Sequence, residues 1–144
     1  MIKRIALTVA IGALVLTMVP VALAGKGTGG NGRPGGGGTT GGGTIALVLL
    51  NSSDGLPHFG QRVTFDVSTT ATSRPFVSLN CYQGSTWVYS ASVGYFAAYP
   101  WAKEFTLAAT SWPGGAADCT AKLYMTTDGS KTTTLATISF RVYA

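Results

Sequence analysis

Charge is scarce in this chain, and carboxylates are scarcest of all. Only 10% of the 144 residues are charged, and five of them are Asp or Glu. General acid–base chemistry needs two poised groups held together. Asp54, Asp66, Glu104, Asp118 and Asp128 are dispersed, and nothing in their spacing brings two together. Histidine occurs once, as His58, and cysteine twice, as Cys81 and Cys119, with no CxxC. That set is too small for a zinc site and lacks the spacing of a redox pair, so neither a metal nor a cofactor is expected. Ser52 and Ser53 stand near Asp54 and His58, but without a nucleophile elbow. The segment before Pro57 reads more simply as a turn-rich connection. Asn51-Ser52-Ser53 is a glycosylation sequon of a kind that arises by chance. The expectation is a protein that is not an enzyme.

Basic clusters and helical periods are missing too. The basic residues are scattered, and no run of them tracks a phosphate backbone, so nucleic acid is not an expected partner. No stretch beyond residue 44 sustains apolar residues at helical spacing.

Three unlike pieces remain. Residues 1–24 begin with Lys3 and Arg4, continue through an apolar run interrupted by Pro20, and end in Ala22-Leu23-Ala24. A positive start, an apolar middle and a small-x-small end describe a secretory signal peptide cleaved after Ala24. No cysteine follows that would make a lipid anchor, and no membrane insertion is expected once the leader is gone. Its removal leaves eight basic and five acidic side chains, a net charge of about +3. Residues 25–43 are mostly glycine with no apolar side chain to bury, which predicts a disordered Gly-rich linker. Residues 44–144 are rich in Thr, Ser, Val and aromatics and read as one domain.

Within that domain, apolar residues alternate in short runs broken by Gly, Pro and Asp. Seven strands are predicted, over residues 45–50, 62–68, 76–82, 86–91, 104–108, 117–126 and 132–143. About a hundred residues in seven strands suit a two-sheet antiparallel sandwich. Asp128-Gly129 is a two-residue hairpin signal. Such a turn sets Thr127 against Ser130, Met125 against Thr132, Leu123 against Thr134, Ala121 against Ala136 and Cys119 against Ile138. Leu135 then falls on the outer face with Lys122.

Cys81 and Cys119 both fall on inward positions. In an exported small domain such a pair forms a structural disulfide. Closing a loop of 38 residues contributes roughly 3–4 kcal/mol in the chain-entropy model.

The aromatics are the candidate binding residues. A two-residue turn at Gly84-Ser85 places Tyr82 opposite Trp87 and Asn80 opposite Tyr89, on an outer face shared with Tyr124. A three-residue turn would instead send Trp87 and Tyr89 into the core. A second candidate is the stretch holding Tyr95, Tyr99 and Trp101, which lacks alternation and reads as a loop. It serves either as a contact loop at one end of the sandwich or as a cover for the open end of the core.

The segments Phe76-Val77-Ser78-Leu79-Asn80-Cys81-Tyr82-Gln83-Gly84, Val88-Tyr89 and Trp112-Pro113-Gly114-Gly115-Ala116-Ala117-Asp118-Cys119-Thr120-Ala121 resemble immunoglobulin-like sandwich domains. The likeness is to those of bacterial secreted and surface proteins and of phage tail proteins, and it covers residues 62–142. It implies binding, spacing or decoration rather than catalysis. The chain departs from the antibody pattern at Ala117, where a tyrosine corner would carry tyrosine. By strand order the resemblance implies that Cys81 lies on strand C and Cys119 on strand F, neighbours in one sheet. The alternative is the inter-sheet B–F bridge.

The expected function is therefore an exported, non-enzymatic interaction module at the cell surface or outside the cell. It would act in adhesion, assembly or surface and virion decoration through protein contacts. The alternative is a carbohydrate-binding module using the aromatic sheet face. The expected partner is an extracellular protein or a surface glycan.

Overall fold

A computed structural model describes residues 38–39, 41–127 and 130–144. The predicted leader, most of the predicted linker and the Asp128-Gly129 turn lie outside the described residues. Among those described there is no helix, and none long and apolar enough to cross a membrane.

The domain is all-β, with two antiparallel sheets packed face to face. Strands β1 (Gly38–Thr39), β2 (Gly43–Leu49), β3 (Arg62–Thr69) and β6 (Phe105–Thr106) form one sheet in the order β1-β2-β3-β6. Strands β4 (Phe76–Gln83), β5 (Thr86–Gly94), β7 (Ala117–Thr127) and β8 (Lys131–Val142) form the other, in the order β5-β4-β7-β8. Both β1 and the first residue of β2 fall inside the stretch read from sequence as linker. Gly43 is needed there: a Cβ would meet Ser68 O at 2.8 Å and Leu123 Cδ2 at 2.9 Å.

The core follows from the period-two alternation. Val63 and Phe65 of β3, Val77, Leu79 and Cys81 of β4, and Ala117, Cys119, Ala121 and Leu123 of β7 are buried between the sheets. Phe65 packs edge-on against Phe105 and meets Phe140 of the opposite sheet at 6.3 Å between centroids. The predicted strand 104–108 pairs only through Phe105 and Thr106, although Leu107 is fully buried beside them.

Cys81 and Cys119 are bonded and sit directly opposite one another on β4 and β7. The bridge joins neighbouring strands of one sheet, and the inter-sheet alternative is overturned.

Two registers differ from expectation: β8 by two extra residues, one in the turn and one in a bulge, and β5 by one. On β8, Thr127 pairs with Lys131, so residues 128–130 separate them rather than two turn residues. The ladder then shifts again between Leu123 and Tyr124. Met125 faces Thr133, Leu123 faces Ala136, Ala121 faces Ile138 and Cys119 faces Phe140. Leu135 is the residue left over, and it is buried rather than outward. Its burial beside Ala136 is worth about 1.5–3 kcal/mol, enough to favour a bulge over strict alternation. On β5 the shift lies opposite Cys81 and Tyr82. Tyr82 faces Trp87 as predicted, Val88 is the extra residue, and Tyr89 faces Cys81 instead of Asn80. The two-residue turn holds, but the bulge turns Tyr89 inward.

Candidate functional site

Both bulges shape the outer face of the β5-β4-β7-β8 sheet. Ahead of the β8 bulge, Thr132 and Thr134 lie opposite Thr126 and Tyr124; beyond it, Thr137, Ser139 and Arg141 lie opposite Lys122, Thr120 and Asp118. The single extra residue thus brings both sets to the same face. Simple alternation assigned Thr132 and Thr134 to the inside. On β5 the bulge leaves Trp87, Ser90 and Ser92 outward, opposite Tyr82, Asn80 and Ser78.

Aromatic rings stand at the two ends of this face. At the β4–β5 turn, Trp87 and Tyr82 are 55% and 42% exposed. Gly84 makes that turn with φ of 60°, a conformation glycine adopts without strain. At the other end Phe76 gathers Phe96 (5.5 Å), Tyr99 (6.3 Å) and Tyr124, whose ring stacks on it at 5.8 Å and 26°. Trp101 packs edge-on against Tyr99 at 5.2 Å and is 70% exposed. Gly94 forms the floor of this cluster, where a Cβ would lie 2.4 Å from Tyr99 Cδ2. Phe76 and Tyr82 are six positions apart on one strand, so about 20 Å separates the two ends. Between them the face carries hydroxyls and an amide: Ser78, Asn80, Ser90, Ser92, Thr120 and Ser139.

The residues singled out from sequence therefore divide. Asn80, Tyr82, Trp87 and Tyr124 share the outer face, and Tyr99 and Trp101 join its far end. Tyr89 does not: it packs against the core beside Trp112, with ring centroids 6.3 Å apart, and burial raises its phenol pKa. Tyr95 also works inward. Its hydroxyl accepts the Phe65 amide N–H at 3.1 Å and donates to the Lys103 carbonyl at 3.2 Å. It thereby caps part of the β3 edge beyond the short β6 ladder. The stretch 95–101 covers the outer face at Phe76 rather than forming a free loop.

Sequence reasoning put Lys122 on the outer face but missed Phe76, Ser78, Thr132 and Thr134. Ser78, Lys122, Tyr124, Thr132 and Thr134 line a cleft of about 250 Å³. Tyr124 forms a fixed wall, because its ring is stacked and its hydroxyl is hydrogen-bonded to Ser92 at 2.7 Å. The adjacent apolar pair Leu135-Ala136, inside an alternating strand, was the one signal that pointed to the bulge.

A second cluster is structural. His58 Nε2 lies 2.8 Å from Asp54 Oδ2 and Nδ1 lies 2.9 Å from the Ala144 carbonyl. Two acceptors favour the imidazolium; the Ala144 carbonyl first and the Asp54 carboxylate second raise the His58 pKa. The hydrogen bond from His58, with the Leu56 amide, lowers the Asp54 pKa to about 2. Ser52 Oγ contacts Asp54 and the Leu56 carbonyl at 3.0 and 2.8 Å, so the carboxylate, not the imidazole, meets the hydroxyl. This is the wrong order for activating a nucleophile. The group instead ties the 52–58 connection to the end of β8, where His58 and Tyr143 also form a parallel bridge.

No family model matches the chain, and no curated protein or solved structure matches it.

Proposed function

We propose that this chain is an exported, non-enzymatic binding module of immunoglobulin-like architecture that engages glycans with the outer face of its four-stranded sheet. The fold reading is supported by strand order. With β2, β3, β4, β5, β6, β7 and β8 taken as A, B, C, C′, E, F and G, the neighbours run A-B-E and C′-C-F-G. Those are the adjacencies of immunoglobulin-like sandwiches, without strand D. Export is supported by the disulfide, which persists in oxidising compartments.

One observation carries the glycan reading: exposed rings at both ends of a face whose middle is hydroxyl and amide. A pyranose presents an apolar C–H face and a rim of hydroxyls. The first stacks on aromatic rings and the second needs hydrogen-bonding side chains. Protein contact is the second reading, favoured by Val48 and Leu50, which remain 38% and 40% exposed on and beside β2.

Screening the full chain on a glycan array, beside Trp87→Ala and Trp101→Ala, tests the proposal. Glycan binding by the parent, weakened in both variants with the fold retained, is the expected result. Absence of glycan binding, together with protein capture that Val48→Ser abolishes, would favour the second reading.

A further inference from the structure

We propose, resting on the glycan reading above, that the cleft at Lys122 selects an acidic sugar, a pyranose carrying a carboxylate. Its lining holds one charge, the Lys122 ammonium, among the neutral side chains of Ser78, Tyr124, Thr132 and Thr134. No described carboxylate pairs with that ammonium. Asp54 is engaged by His58, Glu104 by Arg62 and Asp118 by Arg141. Asp66 pairs with Ala46 in the other sheet, on an exposed position of its outer face. Asp128 lies outside the described residues. A cation with no ion-pair partner among the described residues, beside a rigid ring and several hydroxyls, is complementary to an anionic sugar and offers a neutral one nothing extra.

The volume fits a small occupant. About 250 Å³ lies just under the roughly 300 Å³ at which drug-sized sites begin, so the cleft suits one sugar ring. A second hollow of about 370 Å³, lined by Thr72, Ser73, Arg74, Phe76 and Thr126, shares the Phe76–Tyr124 stack as its wall. It too holds one cation. The Arg74 guanidinium lies 5.0 Å from the Phe96 ring and is in no ion pair among the described residues. Two hollows, each with one cation, flank one aromatic wall. That arrangement suits consecutive acidic units of an oligosaccharide.

The test is calorimetric titration of the full chain with a short oligogalacturonate and with its methyl ester, which keeps the backbone and removes the charge. The acid should bind about tenfold more tightly than the ester, and Lys122→Gln should erase the difference, as loss of one charge-assisted contact does. Lys131→Gln, which removes an exposed cation from the neighbouring strand β8 but lies outside the cleft, should leave the preference intact. Equal binding of acid and ester, or an acid preference that survives Lys122→Gln, overturns acidic selectivity while leaving glycan binding standing. Binding of neither probe by a chain that binds neutral glycans on the array also overturns it. No binding to any glycan overturns the underlying reading instead.

Discussion

Leu135→Ala measures the bulge on which the outer face depends. Strict alternation puts Leu135 in solvent with Lys122, where truncation would change stability by no more than about 0.5 kcal/mol. In the structure Leu135 is 3% exposed, and a Cβ placed on Gly42 would lie 3.0 Å from its Cδ2. The substitution removes three buried carbons, a transfer loss of about 2.4 kcal/mol at about 0.8 kcal/mol each. A residual cavity between the sheets adds to that, for a total of about 2.5–4 kcal/mol. Urea unfolding of the oxidised protein is the assay, with the slope expected to stay constant. For a domain of this size the same loss lowers Tm by at least about 10 °C. A loss below about 0.5 kcal/mol would show that Leu135 faces solvent. Thr132 and Thr134 would then point inward and the Lys122 cleft would not exist.

Gly94→Ala should cost about 1–3 kcal/mol and raise the accessibility of the aromatic cluster, because the new methyl collides with Tyr99 and Phe96; near-ultraviolet circular dichroism and thermal melting report both. Mass spectrometry of the unreduced protein should show the Cys81 and Cys119 peptides linked, and reduction should lower stability by roughly 3–4 kcal/mol; free thiols in material from the native compartment would contradict it. The His58 tie should be pH-dependent in a definite sense. The folded-state pKa of His58 is raised, so its contribution is complete below its ordinary 6.5 and is lost as pH rises through the folded value. That of Asp54 is lowered, so its contribution is complete above 3.8 and is lost as pH falls toward about 2. Stability should therefore be greatest between about pH 4 and 6.5, and the decline above that window should vanish in His58→Ala.

The parts legible in the sequence are those governed by period two. Val63 with Phe65, Val77 with Leu79, and Cys119 with Leu123 alternate without interruption, and all are buried. Strand order, read through the immunoglobulin-like resemblance, put the two cysteines on neighbours in one sheet, with the inter-sheet bridge as the alternative, and the neighbouring placement is the one found. What alternation conceals is where a strand takes an extra residue. Val88-Tyr89 and Leu135-Ala136 are adjacent apolar pairs, and in each the register shift decides which polar neighbours face out. The inward turn of Tyr89 and the outward turn of Thr132 and Thr134 both follow from that. The role of Tyr95 was hidden for a different reason. Its hydroxyl meets the Phe65 amide 30 residues away, and a contact at that separation leaves no local pattern.

The tryptophans offer the most direct measurement of glycan binding by the outer face. Trp87 lies on it and Trp101 packs on Tyr99 at its far end, 55% and 70% exposed, whereas Trp112 is 2% exposed in the core. Acrylamide quenching of the full chain, with and without an oligosaccharide selected on the array, reads their accessibility. Saturating glycan is predicted to remove most of the quenchable fraction, and the Trp87→Ala, Trp101→Ala double variant should lose that protection. Unchanged quenching in a chain that demonstrably binds the glycan would place the contact elsewhere and contradict the assignment of this face.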